Sequence, residues 1–355
     1  MKTSIIFFLI AALFLNCGSD DDPSMDSPDE TMYFPPNGSE TWETTSFSEL
    51  DWNESEIPVL LAFLEEKNTK GFMILINGRI VMENYFDGHT EKTAWYWASA
   101  GKTLTTAIIG IAQEAGLLNI NHNVSDYLGA GWTSAPLSKE NLITNRHLLT
   151  MTSGLDDAAG DRNVPPDLYY KADAGTRWAY HNVFEKLQDV IAAASKQTFA
   201  TYFNTKLQDR IGMTGTWIES GAYNVYWSTT RSMARFGLLS LNEGKWNTEQ
   251  IIPAAFLNEA TTTSQSLNNA YGYLWWLNGK ANYRLPQSQL QFQGSLIPDG
   301  PNDMFCALGK NDQKIYVIPS KKMVVVRMGN AATGENFALS GFDNDLWKKI
   351  NAVIQ

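Results

Sequence analysis

Cysteine and histidine are scarce in this chain, with two and four residues among 355. Two cysteines, Cys17 and Cys306, exclude a disulfide framework. The histidines (His89, His122, His147 and His181) nowhere fall at His-x-x-x-His spacing, and no Cys-x-x-Cys pair occurs. No metal site and no cofactor are therefore expected. A Gly-x-x-x-x-Gly-Lys phosphate loop is also missing. Long apolar runs are lacking too: the longest, Ile5 to Leu15, falls short of the roughly 20 residues that cross a bilayer as a helix.

Positive charge is absent from one long stretch. Between Gly18 and Glu56 there are twelve acids and no Lys or Arg. The chain carries 27 Lys+Arg against 38 Asp+Glu, a formal charge of −11. From Ile57 on, acids and bases balance at 26 each, so the whole imbalance sits in that stretch. Nothing in the charge points to nucleic acid as a partner.

The N-terminus reads as an address. Lys2 precedes the apolar run, and together they fit a secretory signal peptide over 1–16. Phe14-Leu15-Asn16-Cys17-Gly18 resembles a bacterial lipoprotein cleavage box. That resemblance implies a lipid on Cys17, a membrane contact through this anchor alone, and an outer-membrane-associated location, periplasmic or surface-exposed. The acidic segment, 17–56, with its prolines, is expected to be a solvated tether.

In the body, Gly71 to Ile76 and Arg79 to Tyr85 flank Asn77-Gly78, a strong hairpin signal. Helices are expected at Ser99 to Ala115, Phe184 to Ala194, Phe199 to Ile211 and Ser232 to Leu241. A buried strand is expected around Met304 to Leu308, with Cys306 as a small core residue. A second hairpin follows over Gln313 to Met328, and a final helix runs from Asp343 to Ile354. The pattern predicts an α+β fold. An antiparallel sheet lobe, about 57–123 and 261–355, is flanked by helices, with an inserted, mostly helical lobe at about 124–260.

Ser99-Ala100-Gly101-Lys102 is the sole Ser-x-x-Lys in the chain. On a helix this spacing puts Ser99 and Lys102 on one side, one turn apart. A serine hydroxyl becomes a good nucleophile when a neighbour accepts its proton, and a desolvated lysine can do so. Tyr180-His181-Asn182 follows a turn at Asp173 to Trp178. A loop tyrosine can relay a proton, and an asparagine amide can bind a substrate carbonyl. A second Tyr-x-Asn, Tyr202 to Asn204, lies in an amphipathic helix and reads as core.

Ser99-x-x-Lys102 and Tyr180-x-Asn182, about eighty residues apart, resemble the serine β-lactamase and penicillin-binding-protein superfamily, in its class C and esterase-like branch. Gly116 to Asn121, Arg146 to Leu155 and Ile211 to Met213 are similar to its recurrent segments. The resemblance implies a β-lactamase/transpeptidase-like fold and a serine hydrolase that cleaves a small-molecule ester or amide. Ser99 would form the acyl-enzyme, Lys102 and Tyr180 would share acid–base duty, and Asn182 would contact substrate.

The third family motif, Lys-Thr-Gly or His-x-Gly, is degenerate. Leu308 stands where His or Lys is common, next to Gly309, and both are placed in the substrate site. Gly309 would preserve close backbone approach, and a backbone N–H there would complete an oxyanion hole. Lys310 would replace the lost cation or stand solvated on its loop. The missing cation favours an esterase or amidase. A D,D-peptidase or β-lactamase activity, and a weakly active binding or sensor protein, are the alternatives. The tryptophans near the motifs (Trp95, Trp97, Trp178, Trp227, Trp275 and Trp276) are expected to be mostly core, with some walling an acyl pocket.

Overall fold

Asn77 and Gly78 both take positive φ, 48° and 81°, the paired left-handed geometry of a tight hairpin turn. They join β1 (Thr69–Ile76) to β2 (Arg79–Tyr85) in the computed structural model, which describes residues 31–159, 162–221, 223–334 and 338–354. The apolar run, Cys17 and the acids up to Glu30 lie outside the described residues.

A separate three-stranded antiparallel sheet shapes the site. β3 (Trp95–Tyr96) pairs with β5 (Tyr223–Ser228), which pairs in turn with β4 (Gly215–Ser220). The main sheet is antiparallel and continues with β6 (Trp276–Leu277), β7 (Phe305–Gly309), β8 (Gln313–Ile318) and β9 (Met323–Gly329). Its strand order is β2-β1-β9-β8-β7-β6. The near-continuous burial of β7, β8 and β9 follows from helices covering both faces.

Helix α1 (Ile57–Glu66) and the last helix, α5 (Gly341–Ile354), lie on one face, and α4 (Thr230–Leu241) on the other. A Cβ on Gly237 of α4 would overlap Val324, so this helix sits as close to the sheet as its backbone allows. The boundary expected at 260 places α4 in the helical lobe, whereas the helix packs on the strands of the main sheet. Helices α2 (Lys102–Glu114) and α3 (Lys186–Ser195) pack together to one side. The acidic segment does not stay free up to Glu56. Tyr33 N–H donates to the Asn77 carbonyl (2.8 Å), Arg235 to the Pro35 carbonyl (2.9 Å), and Trp42 Nε1 to the Gly78 carbonyl (2.8 Å). From Met32 on the chain therefore belongs to the body, because Trp42 and these backbone groups find partners there that a charge count does not register.

Behind the sheet lies a buried ionic cluster. Lys314, fully buried on β8, reaches Asp343 at 2.8 Å and Asp312 at 3.1 Å, and Tyr316 donates to Asp343 at 2.6 Å. A charge here is tolerated only because each partner is satisfied. Replacing Lys314 by Met leaves two carboxylates buried without this cation. The expected cost is about 3–5 kcal/mol of unfolding free energy, read from urea denaturation curves.

Candidate active site

Ser99 is placed by a chain reversal. β3 ends at Tyr96. Trp97, wholly buried, then anchors the turn by donating its backbone N–H to the Tyr226 carbonyl (2.8 Å) and its indole N–H to Ser228 Oγ (2.6 Å). Ala98 takes a positive φ of 47°, an unfavourable conformation for a residue with a Cβ, immediately before Ser99. A single 3₁₀ turn, Ala98–Gly101, then leads into α2. The expected helix from Ser99 thus begins as this tighter turn.

Lys102 Nζ donates to Ser99 Oγ at 2.6 Å. The lysine side chain is almost fully buried, and Nζ lies 4.8 Å from the Tyr180 ring centre and 4.4 Å from that of Phe184. Two aromatic faces and one hydroxyl thus surround Nζ. Tyr180 is fixed from the other side, stacked on Trp276 (5.8 Å between ring centres) and edge-on to Tyr271 (6.2 Å). Its loop is tied down by the Ala179 N–H, which donates to the Met151 carbonyl (2.8 Å). Burial raises the Tyr271 phenol well above its ordinary pKa, with the neighbouring Tyr180 adding to the shift. The structure therefore brings Ser99, Lys102 and Tyr180 together. The hydroxyl–amine pair is in hydrogen-bond contact, and the tyrosine meets the amine through its ring.

Ser99 stands where two cavities meet. One, of about 470 Å³, extends past Lys102 to Glu185, Trp217 and Trp227. The other, of about 300 Å³, runs past Tyr180 and Asp157 toward Leu285 and Leu339. Asn182 and Lys310 line both. Two cavities meeting at one hydroxyl give room for both halves of a substrate cleaved there.

The third motif needs a correction. Leu308 stands opposite Lys314, and Ala307 opposite Ile315. Lys314 bonds to Asp343 of α5, whereas Ile315 packs toward Gly237 of α4. Side chains alternate across a strand, so Leu308 points to the α5 face, away from Ser99, and lines neither cavity. Ala307 is the residue that shares Gly309's face. At Gly309 itself a Cβ would overlap the Trp97 carbonyl oxygen and crowd the Ala100 nitrogen, so β7 ends in contact with the nucleophile turn. Gly309 shapes the site through this contact and lines neither cavity.

After Gly309 the chain makes a tight turn, with Asn311 and Asp312 at φ of 60° and 61°. Buried Arg327 holds it by donating to the carbonyls of Asn311 (2.9 Å) and Asp312 (3.0 Å), and Asn311 Nδ2 donates to Tyr96 Oη (2.7 Å). Burial lowers the Arg327 pKa to about 10, which still leaves it charged. The turn directs exposed Lys310 to the mouths of both cavities.

Sequence reasoning missed Glu185, Trp217 and the β4–β5 hairpin that carries much of the larger cavity. The hairpin had a signal, since aromatic and β-branched residues flank Ser220-Gly221. Glu185 had none, because only the fold buries it beside Lys102. Of the six tryptophans singled out, Trp97, Trp178, Trp275 and Trp276 are core, and Trp227 walls the larger cavity.

A family model described as Beta-lactamase matches residues 63–346. The chain belongs to the Beta-lactamase family. Within the wider set of similar proteins, it is 26% identical over 298 residues to an uncharacterised protein of Alkalihalophilus pseudofirmus, covering 73% of this chain and 82% of that one. A Bacillus anthracis protein described provisionally as a 6-aminohexanoate-dimer hydrolase has the same fold. Its TM-score is 0.65 at 21% identity, covering 91% of this chain and 87% of that one. A penicillin-binding protein from Bacillus halodurans has a TM-score of 0.61 at 17% identity, covering 82% and 99%. Like its Beta-lactamase relatives, the chain is a mixed helix and antiparallel-sheet protein of a serine-hydrolase family.

Among the described residues Glu185 is the one carboxylate lining the larger cavity, and burial pushes its pKa from 4.5 up to about 7, against the lowering effect of the Asn224 N–H and of Lys102. A raised carboxyl pKa means that the folded state binds more protons than the unfolded chain between those two values. The cost of burying this charge is absent below pH 4.5 and complete above about 7. Glu185→Gln is expected to stabilise the protein by up to about 3 kcal/mol at pH 8. The gain should vanish at pH 4.5, as read from urea unfolding at the two values.

Proposed function

We propose that this protein is a secreted, lipid-anchored serine hydrolase that cleaves a small ester or amide through an acyl-enzyme on Ser99. The observation that carries the reading is the 2.6 Å contact between Lys102 Nζ and Ser99 Oγ at the meeting point of two cavities. Ser99 Oγ attacks the substrate carbonyl carbon as its proton passes to the Lys102–Tyr180 pair. The bond to the leaving group breaks, and the departing oxygen or nitrogen takes that proton. Water, giving a proton to the same pair, then attacks the acyl carbon; the bond from that carbon to Ser99 Oγ breaks, the carboxylic acid leaves, and Oγ takes the proton back. The two basic groups act as a coupled unit. Backbone N–H groups at the start of the nucleophile turn and at the end of β7 are the oxyanion donors in this scheme, and Asn182 contacts the substrate.

The absence of a basic side chain at Ala307 or Leu308 supports ester or amide cleavage over efficient β-lactam hydrolysis. A second reading rests on Lys310. Exposed at both cavity mouths, it offers a cation to the carboxylate of a D-Ala-D-Ala peptide or a β-lactam.

A fluorophosphonate should add one adduct mass to wild-type protein at Ser99 and none to Ser99→Ala. The same substitution should lower turnover of 4-nitrophenyl esters by at least about 10³-fold. Lys102→Met and Tyr180→Phe should each lower it about 10²–10⁴-fold. Unlabelled Ser99 in folded protein would sink the proposal. A panel of esters, D-Ala-D-Ala peptides and a chromogenic cephalosporin separates the two substrate classes.

The anchor is tested independently. Mass spectrometry of the mature N-terminus should find lipid on Cys17, and Cys17→Ser should move the protein from the membrane to the soluble fraction.

A further inference from the structure

We propose that the larger cavity selects substrates whose acyl part ends in an alkylammonium group, with Glu185 as the counter-charge inside a box of aromatic walls. This rests on the hydrolase reading above and names its substrate class.

Several observations converge on the same volume. Glu185 is buried, yet it lines the cavity that Ser99 opens into. One of its oxygens accepts the Asn224 N–H at 3.2 Å. Among the described residues no cation pairs with it, and its other oxygen has no hydrogen-bond partner. Its polar neighbours are already engaged: Asn224 Nδ2 donates to Gln188 Oε1 (2.8 Å), and Gln188 Nε2 donates to Thr105 Oγ1 (3.3 Å). The carboxyl is therefore held in place without an ion-pair partner among the described residues. The second oxygen is turned to the cavity, where a cationic ligand would pair with it and offset part of the cost of burying the charge.

The walls fit such a ligand. Tyr96, Phe184, Trp217 and Trp227 line the same cavity, and aromatic faces attract alkylammonium groups. Two lysines line the same cavity and neither forms an ion pair with Glu185 among the described residues: Lys102 acts on it from a distance while bonded to Ser99, and Lys310 stands exposed at the mouth. Lys186 and Asp189 also act on Glu185, with opposite signs, from the following helix. A neutral acyl chain would gain the aromatic contact but leave the carboxyl unpaired. An anionic one would meet it as a like charge.

The test compares two isosteric esters at pH 8, where the carboxyl is ionised: 4-nitrophenyl 4-(trimethylammonio)butyrate and 4-nitrophenyl 5,5-dimethylhexanoate. Wild-type protein is expected to favour the cationic ester at least tenfold in kcat/KM, chiefly through KM. Glu185→Gln should bring that ratio to within threefold, while Glu185→Asp should keep part of the preference. Trp227→Leu, which leaves the carboxyl in place, should lower the same ratio and covers the case in which the Glu185 variants fail to fold. Binding of choline against 3,3-dimethyl-1-butanol to Ser99→Ala protein, followed by tryptophan fluorescence, reads the cavity without turnover. If neither ester is cleaved but choline is preferred and Glu185→Gln removes that preference, the hydrolase reading fails and the ammonium site stands. A wild-type ratio near one, or a preference that survives Glu185→Gln, overturns the proposal.

Discussion

The end of β7 lies directly against the backbone of the turn that carries Ser99, and the site depends on that contact. Only a residue without a Cβ fits at Gly309, because the Trp97 carbonyl and the Ala100 nitrogen occupy the space. The contact ties three things into one rigid unit: the main sheet, the small β3–β5 pairing that fixes Trp97, and the start of α2. Ser99 is thereby held at an unfavourable turn, with Ala98 in the left-handed region, at a strain typically of 1–3 kcal/mol. Strain of that size persists only where surrounding packing over-determines it, and the buried Trp97 with its two hydrogen bonds supplies that packing.

Charge is arranged around this unit in two layers. Behind the sheet, Lys314, Asp312 and Asp343 form an ionic cluster, and Arg327 beside it donates to backbone carbonyls, that of Asp312 included. The Arg327 bonds fix the turn after Gly309, so a buried structural network sets where the exposed Lys310 emerges. In front of the sheet the charges are left open. Lys310 faces the cavity mouths, and among the described residues Glu185 has no ion-pair partner. Satisfied charges serve the scaffold, and unsatisfied ones are the natural contacts for a ligand.

The sequence by itself determined the hairpins, because Asn-Gly between apolar runs and two β-rich runs around Pro319 to Lys322 are local signals that packing did not override. It also located the Ser99–Lys102 pair, since a spacing of three residues is nearly settled by the backbone alone. The final helix, with Leu346, Trp347 and Ile350 buried, was legible for the same reason: its period matches the face it covers. The family resemblance drew on these local motifs, and the matching family model covers residues 63–346.

Tertiary structure decided what no local rule encodes. Which face of β7 meets Ser99 depends on register against β8, and a one-residue difference in phase removes Leu308 from the site and puts Ala307 on its face. The packing of Met32 to Trp42 on the body, the seating of α4 on the sheet, and the burial of Glu185 beside Lys102 each join residues far apart in the chain. Burial and charge pairing are properties of such long-range neighbours. The sequence could therefore name the nucleophile and its base, whereas only the fold could show the cavity and the lone carboxylate inside it.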